Sequence, residues 1–184
     1  MILPFRDKTP RIDPTAFVAP DATLIGDIVI GPDSSIWYQC VLRADVNHMV
    51  IGARSNIQDG TVVHVDSARD GGPGRPTIIG DDVLIGHMVM IHGAILHDRA
   101  FVGMGAIVMD AEIESDGMLA AGSMLTPGKR IASGQLWMGR PAKYLRDLTE
   151  ADIASNRAGV AHYVEHAKAH AAAVKAQQAS RSAD

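Results

Sequence analysis

Aliphatic residues lead one hexad after another along this chain: Ile12, Val18, Leu24, Ile30, Ile36 and Leu42, then in shifted phase Ile51, Ile57 and Val63, then Ile79, Ile85 and Ile91. A six-residue beat matches neither the helical period nor strand alternation; it is the signature of a parallel β-helix in which each hexad forms one flat side. The beat resumes as Leu96 and Val102, then Ile107, Ile113, Leu119, Leu125, Ile131 and Trp137, with one-residue slips between registers. The fifth place is often small, as at Ala16, Ala22, Ser34, Cys40, Ser55 and Thr61, which suits a corner with little room. Residues 1–141 are therefore expected to form one mainly β solenoid.

Two interruptions stand out. Val63 and Ile79 are separated by sixteen residues where six suffice, and the ten extra include Ser67 to Pro76, whose glycines and prolines suit a loop pushed out of the coil. The stretch from Arg43 to Val50 is three residues longer than a hexad requires and carries Arg43, Asp45, Asn47 and His48, so it reads as a second excursion. Function collects where loops leave a rigid scaffold.

After Pro141 the composition shifts to Ala, Glu, Lys and His with helical spacing, and residues 142–184 are read as a linker and a C-terminal helix packed on the β-helix or on a neighbouring subunit. Thr149 and Asp152 resemble a capping box, and Ile153, Val160, Tyr163, Val164, Ala167, Ala171 and Val174 form one apolar stripe. The spacing predicts a helix from about residue 150 to 176, with Gln177 to Asp184 frayed.

Charge and composition narrow the partners. The 184 residues carry 17 Lys and Arg against 21 Asp and Glu, with no basic cluster to track a phosphate backbone, so no nucleic-acid partner is expected. Met1 to Pro10 is too short and polar for a signal peptide, and no run of about 18 apolar residues provides a membrane span; a cytoplasmic protein is expected. The single cysteine, Cys40, occupies a fifth-place slot and reads as core.

Eight histidines remain. His64 and His92 each stand second in their hexads, and the 28 residues between them become 18 once the ten-residue loop is subtracted, which is three hexads. If three sides close a coil, the two imidazoles stack one rung apart, about 4.8 Å, close enough to share a metal ion. His87 is third in its hexad and belongs to the adjacent side, so a second subunit is the natural donor of a third ligand. Three neutral imidazoles with an open fourth place are a catalytic rather than structural zinc set. Gln58, one side before His64, is placed to hydrogen-bond a metal-held oxyanion, and Arg43, Asp45 and Asp59 offer a charge set to brace the subunit contact. His162, His166 and His170 form a row on the polar side of the C-terminal helix and read as a solvated face; His48 and His97 read as surface residues.

Val41-Leu-Arg-Ala-Asp-Val-Asn47, Asn56-Ile-Gln-Asp-Gly60 with His64, Ile85-Gly-His-Met-Val-Met-Ile-His92 and Val102-Gly-Met-Gly105 together resemble the gamma-class carbonic anhydrase family. The resemblance implies a left-handed β-helix and a homotrimer with metal sites at subunit interfaces. It implies Zn2+, or Fe2+ or Co2+, held by His64 and His92 of one subunit and His87 of the next. It further implies that Gln58 orients metal-bound hydroxide or bicarbonate, that Arg43, Asp45 and Asp59 make interface contacts, that Tyr163 comes near the metal, and that the activity is hydration of CO2 to bicarbonate. The chain departs from the best-studied branch of that family at two glutamates tied to proton transfer: Val46 follows Asp45, and no glutamate occurs from Val65 to Asp70. An acyl-CoA thioesterase or acyltransferase on the same scaffold, and a non-catalytic metal-binding trimer, are the alternatives.

Overall fold

In the computed structural model, which describes residues 1–68 and 72–181, the hexads wind into a parallel β-helix of three sides. Ile12 pairs with Ile30, Val18 with Ile36, and Leu24 with Leu42, so each coil consumes eighteen residues at the N-terminal end. Further along, Ile57 stacks on Ile85, Val63 on Ile91 and Ile51 on Ile79. Most strands are only two or three residues long, because a side ends where the chain must turn. Thr23–Ile30 and Val41–Ile51 bend around a corner without a break and join two sides into one sheet; the third side is a separate sheet.

The leading aliphatics point inward and stack into columns of fully buried side chains, among them Leu24, Ile36, Leu42, Ile57, Ile85 and Ile91. Each such burial contributes about 1.5–3 kcal/mol, which suits a fold whose coils touch only their neighbours. The small fifth-place residues do more than save space. The Ser34 hydroxyl donates to the Gly52 carbonyl at 2.6 Å and accepts from the Ser55 amide at 2.9 Å, while Ser55 donates to Gly80 at 2.7 Å and accepts from Val83 at 2.9 Å. These bonds satisfy polar backbone at buried corners, where an unpaired group is costly.

Three expectations need correction. Val108, not Ile107, occupies the inward position: Val108 pairs with Ile91 and is fully buried, so the six-residue spacing runs unbroken from Leu96 through Val102 to Val108. The segment from Arg43 to Val50 does not leave the coil. It is part of a continuous strand whose three surplus residues form a bulge, the pairing passing from Gly26–Ala44 to Ile28–Met49. Gly26 has φ +88°, and a Cβ there would collide with the Ala44 carbonyl, so this corner requires glycine. Finally, the C-terminal helix spans Glu150–Arg181, beyond residue 176. The added turn, Gln177 to Arg181, has no Gly or Pro to stop it; residues 182–184 lie outside the described residues.

The ten-residue insertion is pinched off at its neck, where the Asp66 and Arg75 backbones exchange hydrogen bonds of 2.8 and 3.3 Å; residues 69–71 of the expected loop lie outside the described residues. The coils on either side therefore keep register. After the last coil, Ala142–Asp147 folds back antiparallel on Gln135–Gly139. The capping box forms as read: the Thr149 amide donates to Asp152 at 2.8 Å, and the Asp152 amide donates to the Thr149 hydroxyl at 3.2 Å. The helix then runs back along the third side, over strands Phe17–Val18, Ser35–Ile36, Asn56–Ile57 and Leu84–Ile85. Val160 and Ala167 are its buried contacts, whereas Ala171 of the expected stripe is exposed.

One corner carries a charged column. Asp33, Arg54, Asp82, Arg99 and Asp116 each precede a stacked core residue by three positions, and all have φ between 55° and 63°. Arg54 makes a two-pronged bond to Asp82, both contacts 2.7 Å, and Arg99 grips Asp116 at 3.0 Å. Acid and base thus alternate from coil to coil.

Candidate metal centre

The outward face of one side presents Arg43, His64, His92 and Met109 in consecutive register. His64 and His92 are direct cross-strand partners, and their ring centroids stand 5.3 Å apart. This is the stacking that the eighteen-residue coil demands, because each histidine follows an inward aliphatic and so faces out.

A carboxylate stands beside each ring. His64 Nε2 lies 2.9 Å from Asp45 Oδ1, and the other Asp45 oxygen accepts from Arg43 Nη1 at 2.6 Å. Burial alone would raise the Asp45 pKa, but the hydrogen bonds from His64 and Arg43 outweigh it and keep the carboxyl below its ordinary value. His92 Nδ1 stands 3.4 Å from Asp110 Oδ1, close enough for an ionic approach but not for a hydrogen bond, and that buried oxygen has no hydrogen-bond partner. Asp110 was not singled out in the sequence; it follows Met109, the register partner of His92 on the next coil, and so comes beside that ring.

His87 sits on the neighbouring side with its Nδ1 2.9 Å from Asp59 Oδ2. The charge set read from the sequence is therefore divided: Arg43 and Asp45 serve His64, and Asp59 serves His87. Among the described residues of one chain, no three His, Cys, Asp or Glu side chains come together to hold a metal. The donor chemistry nonetheless fits a divalent transition ion. Each of the three imidazoles has one nitrogen facing a carboxylate and leaves the other, Nδ1 of His64 and Nε2 of His87 and His92, without a described partner. That carboxylate–histidine pairing orients ligating imidazoles and raises their basicity.

Gln58 lies one side before His64, as its hexad place indicates. It is buried at 3% exposure, and its amide donates to Asn56 Oδ1 at 3.0 Å, while the Asn56 amide nitrogen is buried without a partner. Tyr163 is brought by the C-terminal helix to the hollow beside His87, about 300 Å³, which Asp59, Trp37 and Tyr38 also line. Its ring meets Trp37 edge-on at 5.5 Å, and burial followed by the nearby Asp59 charge pushes the phenol pKa upward, so it stays protonated at neutral pH.

The histidine row on the helix is not uniformly solvated. His170 Nδ1 lies 3.0 Å from the Tyr38 hydroxyl, and its ring packs on Trp37 at 4.9 Å, because the helix descends onto aromatic residues of the first coils. His162 and His166 are exposed, with ring centroids 4.0 Å apart. Around the histidine faces, Val62, Met88, Met90 and Met104 are exposed, Met88 at 72%. Four large apolar side chains beside polar ligands form a surface without a partner in one chain.

Comparison with known proteins agrees with this architecture. Residues 76–109 match a family model described as hexapeptide repeat of succinyl-transferase. The chain is 48% identical over 167 residues to gamma carbonic anhydrase 1, mitochondrial, of Arabidopsis thaliana, covering 90% of this chain and 61% of that protein. It therefore spans about three-fifths of the length of that plant relative. It is 43% identical to a carbonic anhydrase of Geobacillus kaustophilus, covering 90% of this chain and 88% of that protein. The crystal structure of a hexapeptide transferase family protein from Anaplasma phagocytophilum superposes with a TM-score of 0.85 at 45% identity, covering 91% of this chain and 96% of that one. No helix among the described residues is long and apolar enough to cross a membrane.

Proposed function

The chain belongs to the gamma carbonic anhydrase family, and from that premise we propose that it is a metal-dependent enzyme converting CO2 and water to bicarbonate and a proton. The observation that carries this reading is the in-register pair of His64 and His92, 5.3 Å apart, each facing a carboxylate. His64 and His92 of one chain and His87 of a second copy would hold Zn2+, with Fe2+ or Co2+ as the other candidates. Such an ion supplies Lewis acidity that makes water nucleophilic at neutral pH. Asp45 orients the His64 ring and Asp59 the His87 ring, while Asp110 stands beside His92 as a nearby carboxylate. Arg43 keeps Asp45 ionised, so the His64 ring retains its acceptor. The protonated Tyr163 phenol offers a hydrogen bond at the edge of the site.

Copies of this chain closing into a homotrimer would complete three such sites, each joining the His87 corner of one subunit to the His64–His92 face of the next. The exposed Val62, Met88, Met90 and Met104 support that contact, since burying them favours association. No glutamate stands beside Asp45, where Val46 follows it, so proton release depends on buffer.

Stopped-flow CO2 hydration with metal-loaded protein, prepared without oxygen, tests the reading. A metal-dependent rate that disappears in His92→Ala supports it; no rate above background defeats it. Mixing His64→Ala chains with His87→Ala chains restores some intact sites if ligands are shared across subunits, and no restoration refutes the shared site. A second reading, acyl transfer or thioester hydrolysis, draws on the likeness to the Anaplasma hexapeptide transferase family protein. Release of free thiol from acyl-CoA distinguishes it, and tight metal binding with neither turnover favours a non-catalytic trimer.

A further inference from the structure

A cavity of about 460 Å³ lies away from the histidines, between the C-terminal helix and the flank of the solenoid it covers. Leu84, Ala100 and Phe101 of the coils face Ile153, Val160 and Val164 of the helix across it. A Cβ on Gly159 would stand 3.1 Å from Leu84 Cδ1, so the helix backbone runs close against the coil beside the cleft.

The rim is charged, and its partners can be counted. Arg54 spends its guanidinium on Asp82, and Arg99 spends its own on Asp116. Arg157, on the helix, is left 3.6 Å from Asp116 Oδ1, beyond hydrogen-bond distance, with its side chain 61% exposed. The neighbouring Asn156 amide meets only the Met118 sulfur, at 4.0 Å, a weak acceptor. Asp81 also stands 3.8 Å from Arg54, so the two coil arginines are matched by carboxylates, and around the apolar floor the donors of Arg157 and Asn156 have no hydrogen-bonded oxygen acceptor among the described residues.

We infer that this cleft binds a small amphiphile with a single anionic head, a medium-chain monocarboxylate, its tail over Leu84, Phe101 and Val160 and its carboxylate on Arg157 and Asn156. The volume falls within the range of about 300–1,000 Å³ typical of small-molecule sites, and an arginine fork matches a carboxylate in two parallel bonds. The Arg157 guanidinium and Asn156 amide at the mouth are donors, so a head that accepts hydrogen bonds and carries negative charge is favoured over a cationic amphiphile of the same length. None of these residues belongs to the candidate metal centre.

Isothermal titration of the full chain with octanoate, octanol and octylamine tests the assignment. Octanoate binds once per chain, with octanol and octylamine at least tenfold weaker. Arg157→Gln lowers octanoate affinity at least tenfold, and Ala161→Trp, at an exposed position on the cavity wall, obstructs the site. Circular-dichroism melts confirm that each variant folds, and Asn156→Ala gives a second reading of the carboxylate contact. Octanol binding as tightly as octanoate, octanoate binding unchanged in Arg157→Gln and Ala161→Trp, or no octanoate binding at millimolar concentration overturns the proposal.

Discussion

Asp45→Ala is the most informative perturbation of the candidate metal centre. The carboxylate accepts from Arg43 at 2.6 Å, faces His64 Nε2 at 2.9 Å, and is only 17% exposed. Removing it frees the His64 ring to rotate and leaves its Nε2 without that acceptor. A hydrogen bond to a charged group contributes about 1.5–3 kcal/mol, roughly one to two decades in an equilibrium constant, and loss of an outer partner of a ligating histidine costs about 10–100-fold in metal affinity. Anaerobic Co2+ titration should therefore show binding about 10–100-fold weaker than in the parent. Asp147→Ala, which removes only an acceptor for Tyr144 on the terminal hairpin, should leave affinity unchanged. An Asp45→Ala protein binding Co2+ within twofold of the parent would refute the claim that this carboxylate positions the ligand.

Three further expectations concern the scaffold. Ile57→Ala removes a fully buried side chain stacked between Ile36 and Ile85 and should cost about 2–5 kcal/mol in urea unfolding; a loss below about 1 kcal/mol contradicts the columnar packing. The Asp152 carboxyl lies below the ordinary aspartate range through hydrogen bonds from Arg146 and then from Thr149, so its stabilisation is complete above the unfolded pKa of about 4 and is lost as pH falls further. Helical circular dichroism followed from pH 5 to 2 should lose signal more steeply in the parent than in Asp152→Ala; equal slopes argue against the cap. Burial pushes the Cys40 thiol up to about 11, so iodoacetamide at pH 8 should label it only after unfolding, and prompt labelling of folded protein would contradict its place in the core.

The hexad arithmetic carried the reading from sequence a long way. Subtracting ten residues between His64 and His92 left one coil, and the two are partners in the sheet. The same arithmetic stopped short wherever two answers look alike along the chain. Ile107 and Val108 are adjacent aliphatics, and only pairing with Ile91 selects the second. Three surplus residues near Asp45 read equally as a loop or as a bulge, because an excess in length does not say whether the ladder continues across it. His170 sits on a face that is polar by its helical neighbours but covered by Trp37 and Tyr38 from the other end of the chain. Gln58 occupies an outward hexad place like His64, yet the C-terminal helix covers that side and leaves it buried.

The alternating column from Asp33 to Asp116 bears on how the turns of the solenoid find their proper sequence. Rungs of near-identical aliphatics do not number themselves, and a chain that skipped one turn would still bury Ile on Ile. At this corner such a misthreaded chain would set Arg54 against Arg99, or Asp82 against Asp116, and like charges placed opposite each other repel. Surface pairs of this kind add little to the depth of the native well. Their value lies in raising the energy of the misassembled alternatives that repeat architectures are prone to, so that the column serves as a counter for the winding chain.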